Sequence, residues 1–590
     1  MSTALQPSPF TVPSNLPSIP HVSETDPTRC VLDAFRTAIA QLVAEALPPL
    51  TVEQVYQGVD YGKKGVDFTV ALPRFRLPGK VDELAKKVLS KFQPNEWIEN
   101  IVHDRAFLHF TCSTSTLLSL VLNQVHSLTY DTASKQPEYG QNSSGAGKRV
   151  IIEYSSPNIA KSFHVGHLRS TIIGAFLSNL YKACGWEVIS MNYLGDWGTQ
   201  FGLIAVGFQK YGSQEELEKD AIKHLFEVYV KVNADAEKDP EVKVEAAAWF
   251  KRMEDGDEEA LRNWRVWREL SVRKYEEEYA RLNVHFDVYT GESQVGKEWQ
   301  DKALDRLNTM GLIDDHEGAK LVNLEKWKLG KAVVRKKDGT SIYLTRDIGG
   351  AIERYEKYKF DKMIYVVASQ QDLHLAQFFK VLKLMEFPWA DNLEHVNYGL
   401  VLGMSTRKGT AVFLDQIIRE AASVMHDQMR KNEVKYNSIE DPEMVAQEIG
   451  ITGVKIQDMG CEANQQLYLQ LGSHALLRGR HRPNPQLFPL PPPSEINTAL
   501  LSEPAAREIV FLLGTYPDVV KTAQRTHEPS GVVTFAFRLS HAISSAWETV
   551  VVMGEADVEK ARARMWMYIC ARDVLGAALR LLSIKPLERM

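Results

Sequence analysis

Cysteine is scarce. The 590 residues hold five, Cys30, Cys112, Cys184, Cys461 and Cys570, and no two of them form a CxxC pair. Neither a disulfide framework nor a zinc ribbon follows, and the pattern fits a reducing compartment. Long apolar runs are missing too. Stretches such as Thr171–Tyr181 fall short of the roughly 18–20 residues that cross a bilayer, so no membrane partner is expected. There is no excess of charge of one sign: Lys+Arg number 69 against 75 Asp+Glu, a formal net charge of -6. Bulk charge therefore gives no support to nucleic-acid binding, although a local basic face would suffice for it. No Lys or Arg precedes Arg29, while Glu24 and Asp26 do. A mitochondrial leader is Arg-rich and poor in acids, so the expected location is cytoplasmic, with dual mitochondrial targeting left open.

What is present is an ordinary globular composition, 44% hydrophobic and 24% charged. The length suggests three to five units at about 100–200 residues each. Residues 1–28 are rich in Pro, Ser and Thr and read as a flexible tail. Residues 29–148 read as a small α+β unit: a helix from Arg29, an alternating strand at Val66–Leu72, a helix at Lys80–Phe92 and a strand at Ala106–Phe110. The Gly/Ser-rich stretch Ser134–Gly147 reads as a linker. Val150-Ile151-Ile152-Glu153-Tyr154 then has the composition of a buried parallel strand. A helix from His164 to Ala183 and a strand at Glu187–Tyr193 complete a βαβ unit. Further strands are expected at Lys362–Val367 and Val396–Leu402, and insertions near 200–290 and 293–342. The fold class is α/β, with a Rossmann-like domain over 149–411. A helical bundle over 412–590 is expected from the three/four spacing of Arg507–Leu513, Val533–Val552 and Val558–Leu582.

Two motifs carry chemistry. Pro157–His167 lies between a buried strand and a helix start, where free N–H groups and the helix dipole favour phosphate. Gly166 lets an adenine or ribose approach the backbone. His164 and His167, at i and i+3, share one helix face and can donate to phosphate oxygens as negative charge builds. They could equally be capping or core histidines. Half a metal site is the weaker option, since no HExxH is present, and no metal ligand set is expected. Gly403-Met404-Ser405-Thr406-Arg407-Lys408-Gly409 is a basic, Gly-bounded loop able to neutralise a pyrophosphate leaving group, or else a surface loop.

In this order, more than 200 residues apart, the pair resembles the HIGH and KMSKS motifs of class I aminoacyl-tRNA synthetases. Ile152–Asn158, Asn192–Gly198, Tyr343–Asp347 and Ser369–His374 narrow the resemblance to arginyl-tRNA synthetases of the eukaryotic, particularly fungal, type. That resemblance implies a Rossmann-like catalytic domain, a preceding domain that touches the tRNA elbow, and a helical anticodon-binding domain. It implies ATP-dependent activation of L-arginine to arginyl-adenylate and transfer to the 3' end of tRNA(Arg). Mg2+ would accompany ATP as part of the substrate, no tightly bound cofactor is implied, and a monomer is expected. Met404, Ser405, Arg407 and Lys408 take the loop's role. Lys161 stands where such enzymes keep a lysine that replaces the missing middle lysine of KMSKS; otherwise it is a solvated residue at a helix start. ATP would lie on His164, Gly166, His167 and Met404.

A guanidinium is planar, always charged and best held by carboxylates that accept paired hydrogen bonds. Glu153 ends the first strand, and Asp347 follows Tyr343 by one helical turn. The resemblance puts these three around the arginine side chain, and Ser156, Asn158 and Gln371 around its α-amino and carboxylate groups. The alternative is that Glu153 and Asp347 are paired with Arg346 or another cation. For tRNA, Phe107 could stack on a splayed base and Trp547 on an anticodon base, or each could be structural. Residues 458–498 depart from the family. Only Tyr468-Leu469-Gln470 survives of the usual sequence, followed by the acid-free, Pro- and Arg-rich run Leu471–Ser494. That run fits no helical bundle. A frame-shifted or mis-spliced reading is the expectation here, which tryptic peptides spanning 466–482 would overturn. The break also motivates a second functional reading, a catalytically impaired tRNA-binding or arginine-sensing paralogue.

Overall fold

The computed structural model describes residues 7–63, 65–159, 163, 165–335, 343–399, 414–460 and 489–587. Lys161, His164, Met404, Ser405, Arg407 and Lys408 lie outside the described residues, as do 461–488 of the atypical stretch.

Strands β1 (Val59–Tyr61), β2 (Phe68–Ala71), β3 (Ile98–Asp104) and β4 (Phe107–Cys112) form an antiparallel sheet in the order β1-β2-β4-β3. The helices Leu32–Ala46, Val81–Lys91 and Thr114–Tyr130 belong to the same unit. Segments whose composition reads as tail and linker are docked here. Phe10 and Val22 are buried, and Trp97 Nε1 donates to Pro17 O. Further on, buried Glu138 pairs with Arg29 at 3.2 Å, and the Tyr139 hydroxyl donates to Leu513 O. A few well-placed aromatics and one buried ion pair fix a stretch whose average composition is that of a loop.

The second sheet is parallel throughout: β5 (Arg149–Glu153), β6 (Glu187–Leu194), β7 (Val288–Gly291), β11 (Lys362–Ala368) and β12 (Leu393–Tyr398), in the order β12-β11-β5-β6-β7. Val150, Ile151 and Ile152 are fully buried, as a strand covered on both faces requires. The helix Val165–Ala183 crosses from β5 to β6 and stops at Gly185, whose φ of 79° only glycine adopts readily. β12 begins three residues before the expected Val396. The 3-10 turn Ala390–Asn392 delivers Leu393 directly opposite Met363 of β11. The first insertion is helical, through Ala221–Lys238, Glu241–Glu254 and Glu258–Arg281. The second combines the helix Lys297–Thr309 with a small sheet, β8 (Asp314–His316), β9 (Ala319–Asn323) and β10 (Lys331–Arg335).

The described residues from Leu414 onward are mainly helical, in Leu414–Arg430, Pro442–Met459, Pro504–Thr526, Ser530–Ala546 and Val558–Leu581. The helix Pro504–Thr526 packs on the N-terminal unit. Arg507 forks onto buried Asp67 at 3.0 and 2.6 Å, Asp518 accepts from Arg36 and Tyr61, and Phe511 meets the rings of Tyr61 and Phe68. The two ends of the described chain thus share one apolar core.

Candidate active site

The order of the parallel sheet reverses at β5: β6 lies on one side and β11 on the other. In sheets of this kind the carboxyl ends of the strands at such a reversal border the ligand crevice. Glu153 is the last residue of β5, opposite Tyr365 of β11 and Met191 of β6. Gln371 closes the turn after β11, and Asn158 forms a parallel bridge with Gly195, just past β6.

The loop after β5 holds an unusual shape. Ser155 and Ser156 both have positive φ, 71° and 47°, a strain of about 1–3 kcal/mol each for residues with a Cβ. Buried hydrogen bonds hold it. Ser155 N donates to Ser170 Oγ at 2.8 Å, and Ser155 Oγ lies 2.7 Å from the Tyr279 hydroxyl. Ser156 N donates to Asn192 Oδ1, whose amide in turn donates to the Tyr279 hydroxyl at 3.0 Å. The Tyr275 hydroxyl donates to Asn158 O, and Gly195 N to Pro157 O. Tyr275 and Tyr279 come from the insertion helix Glu258–Arg281, which also packs on buried Phe163. That helix anchors Asp196 as well. Arg268 Nε donates to its carboxylate at 2.7 Å and Trp264 Nε1 to its carbonyl at 2.8 Å. Gly166 and His167 open the helix Val165–Ala183, and the Tyr398 hydroxyl donates to Gly166 O.

Glu153 is paired. Its Oε2 lies 2.6 Å from Arg354 Nη1, and the two side chains are 8% and 11% exposed. The Glu153 carboxyl stands above its ordinary range: burial pushes it up most, the charge of nearby Asp347 adds to that, and Arg354 limits the rise by pulling it down. Asp347 accepts from His374 Nε2 at 2.7 Å, and this contact holds the imidazole above its ordinary range against the opposing effect of burial. Arg346 goes elsewhere, to Glu292 at 3.2 Å. Burial pushes the Glu292 carboxyl up to about 7 despite that partner. So both carboxylates expected to meet a guanidinium carry a basic partner, and in neither case is it Arg346.

The helix Tyr343–Tyr358 presents Tyr343 (66% exposed) at its start, then Asp347 and Arg354. Spacings of four and seven residues put all three on one face. The Arg354 guanidinium sits 4.7 Å above the Tyr193 ring. Sequence reasoning singled out the first two, held His374 only as the end of the Ser369–His374 stretch with no role of its own, and missed Arg354, Tyr275 and Tyr279. The seven-residue step from Asp347 was the signal for Arg354; nothing local pointed to the tyrosines. Away from the crevice, Phe107 is exposed at the start of β4 and stacked on His109. Trp547 is half-buried at the end of the helix Ser530–Ala546, 5.9 Å from the Tyr568 ring.

Residues 131–468 match the family model "tRNA synthetases class I (R), catalytic domain", and residues 490–590 match "DALR anticodon binding domain". The cytoplasmic arginine--tRNA ligase of Saccharomyces cerevisiae is 48% identical over 550 residues, 89% of either chain. A probable cytoplasmic arginine--tRNA ligase of Schizosaccharomyces pombe is 43% identical and covers 98% of this chain and 97% of its own. A mitochondrial arginine--tRNA ligase of Saccharomyces cerevisiae is 44% identical over 81% of this chain and 78% of its own. The fold matches the Plasmodium falciparum arginyl-tRNA synthetase, with a TM-score of 0.73 at 18% identity over 95% of this chain and 99% of that one. It also matches the Thermus thermophilus enzyme, with a TM-score of 0.72 at 19% identity over 94% and 100%.

Proposed function

The chain belongs to the arginyl-tRNA synthetase family, and from that premise we propose how its residues carry out arginine--tRNA ligation. The substrates are L-arginine, tRNA(Arg) and ATP, which enters with Mg2+ on its phosphates. The arginine carboxylate attacks the α-phosphate; the arginyl-adenylate anhydride forms, the α–β bond breaks and diphosphate leaves. A hydroxyl of the terminal ribose of the tRNA then attacks the arginyl carbonyl and AMP leaves. No covalent enzyme intermediate is required, so the protein's part is orientation and charge stabilisation.

The observation that carries the residue assignment is the gathering of Glu153 and Asp347, from β5 and the helix Tyr343–Tyr358, at the switch point of the parallel sheet. Two carboxylates and the Tyr343 hydroxyl suit a forked, permanently charged group. A lysine ammonium lacks the fork, and neutral citrulline would leave buried charge unmatched. Ser156, Asn158 and Gln371 hold the α-amino and carboxylate end, beside the Ser155–Ser156 turn that internal hydrogen bonds keep fixed. Gly166 and His167 face ATP at the helix start. Lys161, His164, Met404, Ser405, Arg407 and Lys408 are assigned to phosphate and diphosphate by motif. Phe107 and Trp547 are assigned to the tRNA elbow and anticodon loop, within domains at 29–148 and 412–590. We further propose a cytoplasmic monomer. No helix among the described residues is long and apolar enough to cross a membrane.

ATP–diphosphate exchange tests the proposal. Exchange that requires both arginine and its tRNA supports it, and exchange driven by lysine or citrulline would sink the pocket assignment. No observation favours the impaired-paralogue reading: the similar curated proteins of Saccharomyces cerevisiae and Schizosaccharomyces pombe bear the name arginine--tRNA ligase, and the flank of the atypical stretch is docked, with Ile496 buried and Leu490 against the core.

A further inference from the structure

Glu153 poses a problem of charge. Its carboxylate is enclosed at the end of a central strand. The groups facing it are Asp347 and Arg354 from the helix Tyr343–Tyr358, Tyr193 from β6 and Tyr365 from β11, with His374 behind Asp347 and Glu292 beyond Tyr193. Two of these neighbours are themselves carboxylates. A buried carboxylate close to another takes up a proton unless a cation is fixed beside it. A protonated Glu153 would be a poor receptor for a guanidinium, since the forked pair needs both oxygens as acceptors.

Among the described residues one cation touches Glu153: Arg354, at 2.6 Å. An ion pair, an aromatic face and its own helix constrain its placement. The guanidinium lies 4.7 Å above the Tyr193 ring, its side chain is 11% exposed, and its backbone is seven residues from Asp347 on the same helix. One rigid element therefore supplies both a carboxylate for the substrate and the counter-charge for the other carboxylate.

We propose that Arg354 is a positioning residue of the arginine pocket, keeping Glu153 ionised and oriented in the empty site so that an incoming guanidinium meets a carboxylate. The inference rests on the assignment of Glu153 to the arginine side chain. Arg354 does not touch the reacting atoms; it acts through Glu153. The pocket then holds two negative charges offset by Arg354 and, in part, by His374, and the substrate adds its own charge to a site that is already ionised.

The test uses the full-length protein with the substitutions Arg354→Met, Arg354→Lys and Glu153→Gln. KM for arginine and kcat are measured in aminoacylation at pH 6.5, 7.5 and 8.5, with melting temperatures alongside. Without Arg354 the proton on Glu153 must leave before arginine binds, so R354M is expected to raise KM. The ratio of its KM to the native KM should be about tenfold or more at pH 6.5 and shrink as pH rises, since a tenfold binding change is one pH unit of proton competition. Taking the ratio cancels any titration of His374 common to both proteins. kcat should change by less than about threefold, and R354K should restore a pH-independent ratio. A KM ratio that is flat with pH, or a loss in kcat alone, would overturn the proposal and leave Arg354 a structural ion pair. E153Q should raise KM at every pH. If E153Q leaves KM unchanged, the pocket assignment itself fails and this inference with it; a raised KM in E153Q beside a flat ratio in R354M fails the inference alone. If the methionine variant does not fold, Arg354→Gln gives the same reading.

Discussion

The hydroxyl of Tyr279 touches Ser155 from one side and Asn192 from the other, and these two support the strained turn that leads out of β5. Removing it as Tyr279→Phe leaves the Asn192 amide without that acceptor, at a cost of about 1–3 kcal/mol. The expected result is a lower melting temperature together with a weakened KM for arginine, because Ser156 loses its fixed conformation. Unchanged kinetics would separate the turn from binding. Lys455 gives a second case. Its Nζ is buried, makes no carboxylate contact among the described residues, and donates to Leu282 O and, at 2.7 Å, to Ser583 O. A neutral amine has two N–H groups for these two acceptors, and burial pushes the lysine down to about 7. In the unfolded chain it titrates near about 10.4. Between those values the unfolded state holds a proton that the native state has lost, so stability rises with pH across that window and is flat below it. The melting temperature of the native protein relative to Lys455→Met should therefore climb from pH 7 to 9; a constant difference would refute the neutral amine. At this scale the shared helix face of Tyr343 and Asp347 was legible, because a spacing of four residues puts them together. Arg354 was legible in principle. Tyr279 was not, since it reaches Ser155 across 124 residues of chain.

Elements were read more easily than their surroundings. The β5–helix–β6 unit was plain from a continuous apolar run followed by helical spacing, and its ends fall within a residue or two of the expected ones. The docking of residues 7–28 and 134–147 was not, because it depends on isolated anchors such as Phe10 and Tyr139. Close packing inside the βαβ unit yields a prediction. A Cβ on Gly174 of the crossover helix would lie 2.0–2.5 Å from the ring of buried Tyr154, next to the strained turn. Gly174→Ala must shift helix from strand, at about 1–3 kcal/mol as overpacking typically costs. It should lower the melting temperature and raise the arginine KM together. If stability falls and KM holds, the turn does not depend on this contact.

Across the whole molecule, the edge of the parallel sheet is tied to the helical C-terminal part through Glu394 on β12. Its carboxylate accepts from His527 Nδ1 at 2.8 Å and from Lys362 at 2.6 Å, and His527 Nε2 meets the Tyr181 hydroxyl. The His527 hydrogen bond, joined by Lys362, holds the Glu394 carboxyl down to about 2 against partial burial. A carboxylate lowered by folding stabilises above its unfolded value and loses that contribution as pH falls through the folded one. Glu394→Gln should therefore melt below the native protein at pH 6 and approach it near pH 2–3; an equal gap at both would show that charge is not the cause. Such joints between distant segments leave no periodic trace in the sequence, whereas the domains they join do. The joint at Arg507 and Asp67, with Asp518, Phe511 and Tyr139 around it, has a different consequence. It makes the sheet bearing Phe107 and the helices leading to Trp547 marks cut on a single bar. On the proposed assignment of Phe107 to the elbow and Trp547 to the anticodon loop, an RNA would be gauged by length, and one with its elbow and loop differently spaced would meet one mark and miss the other, whatever its bases.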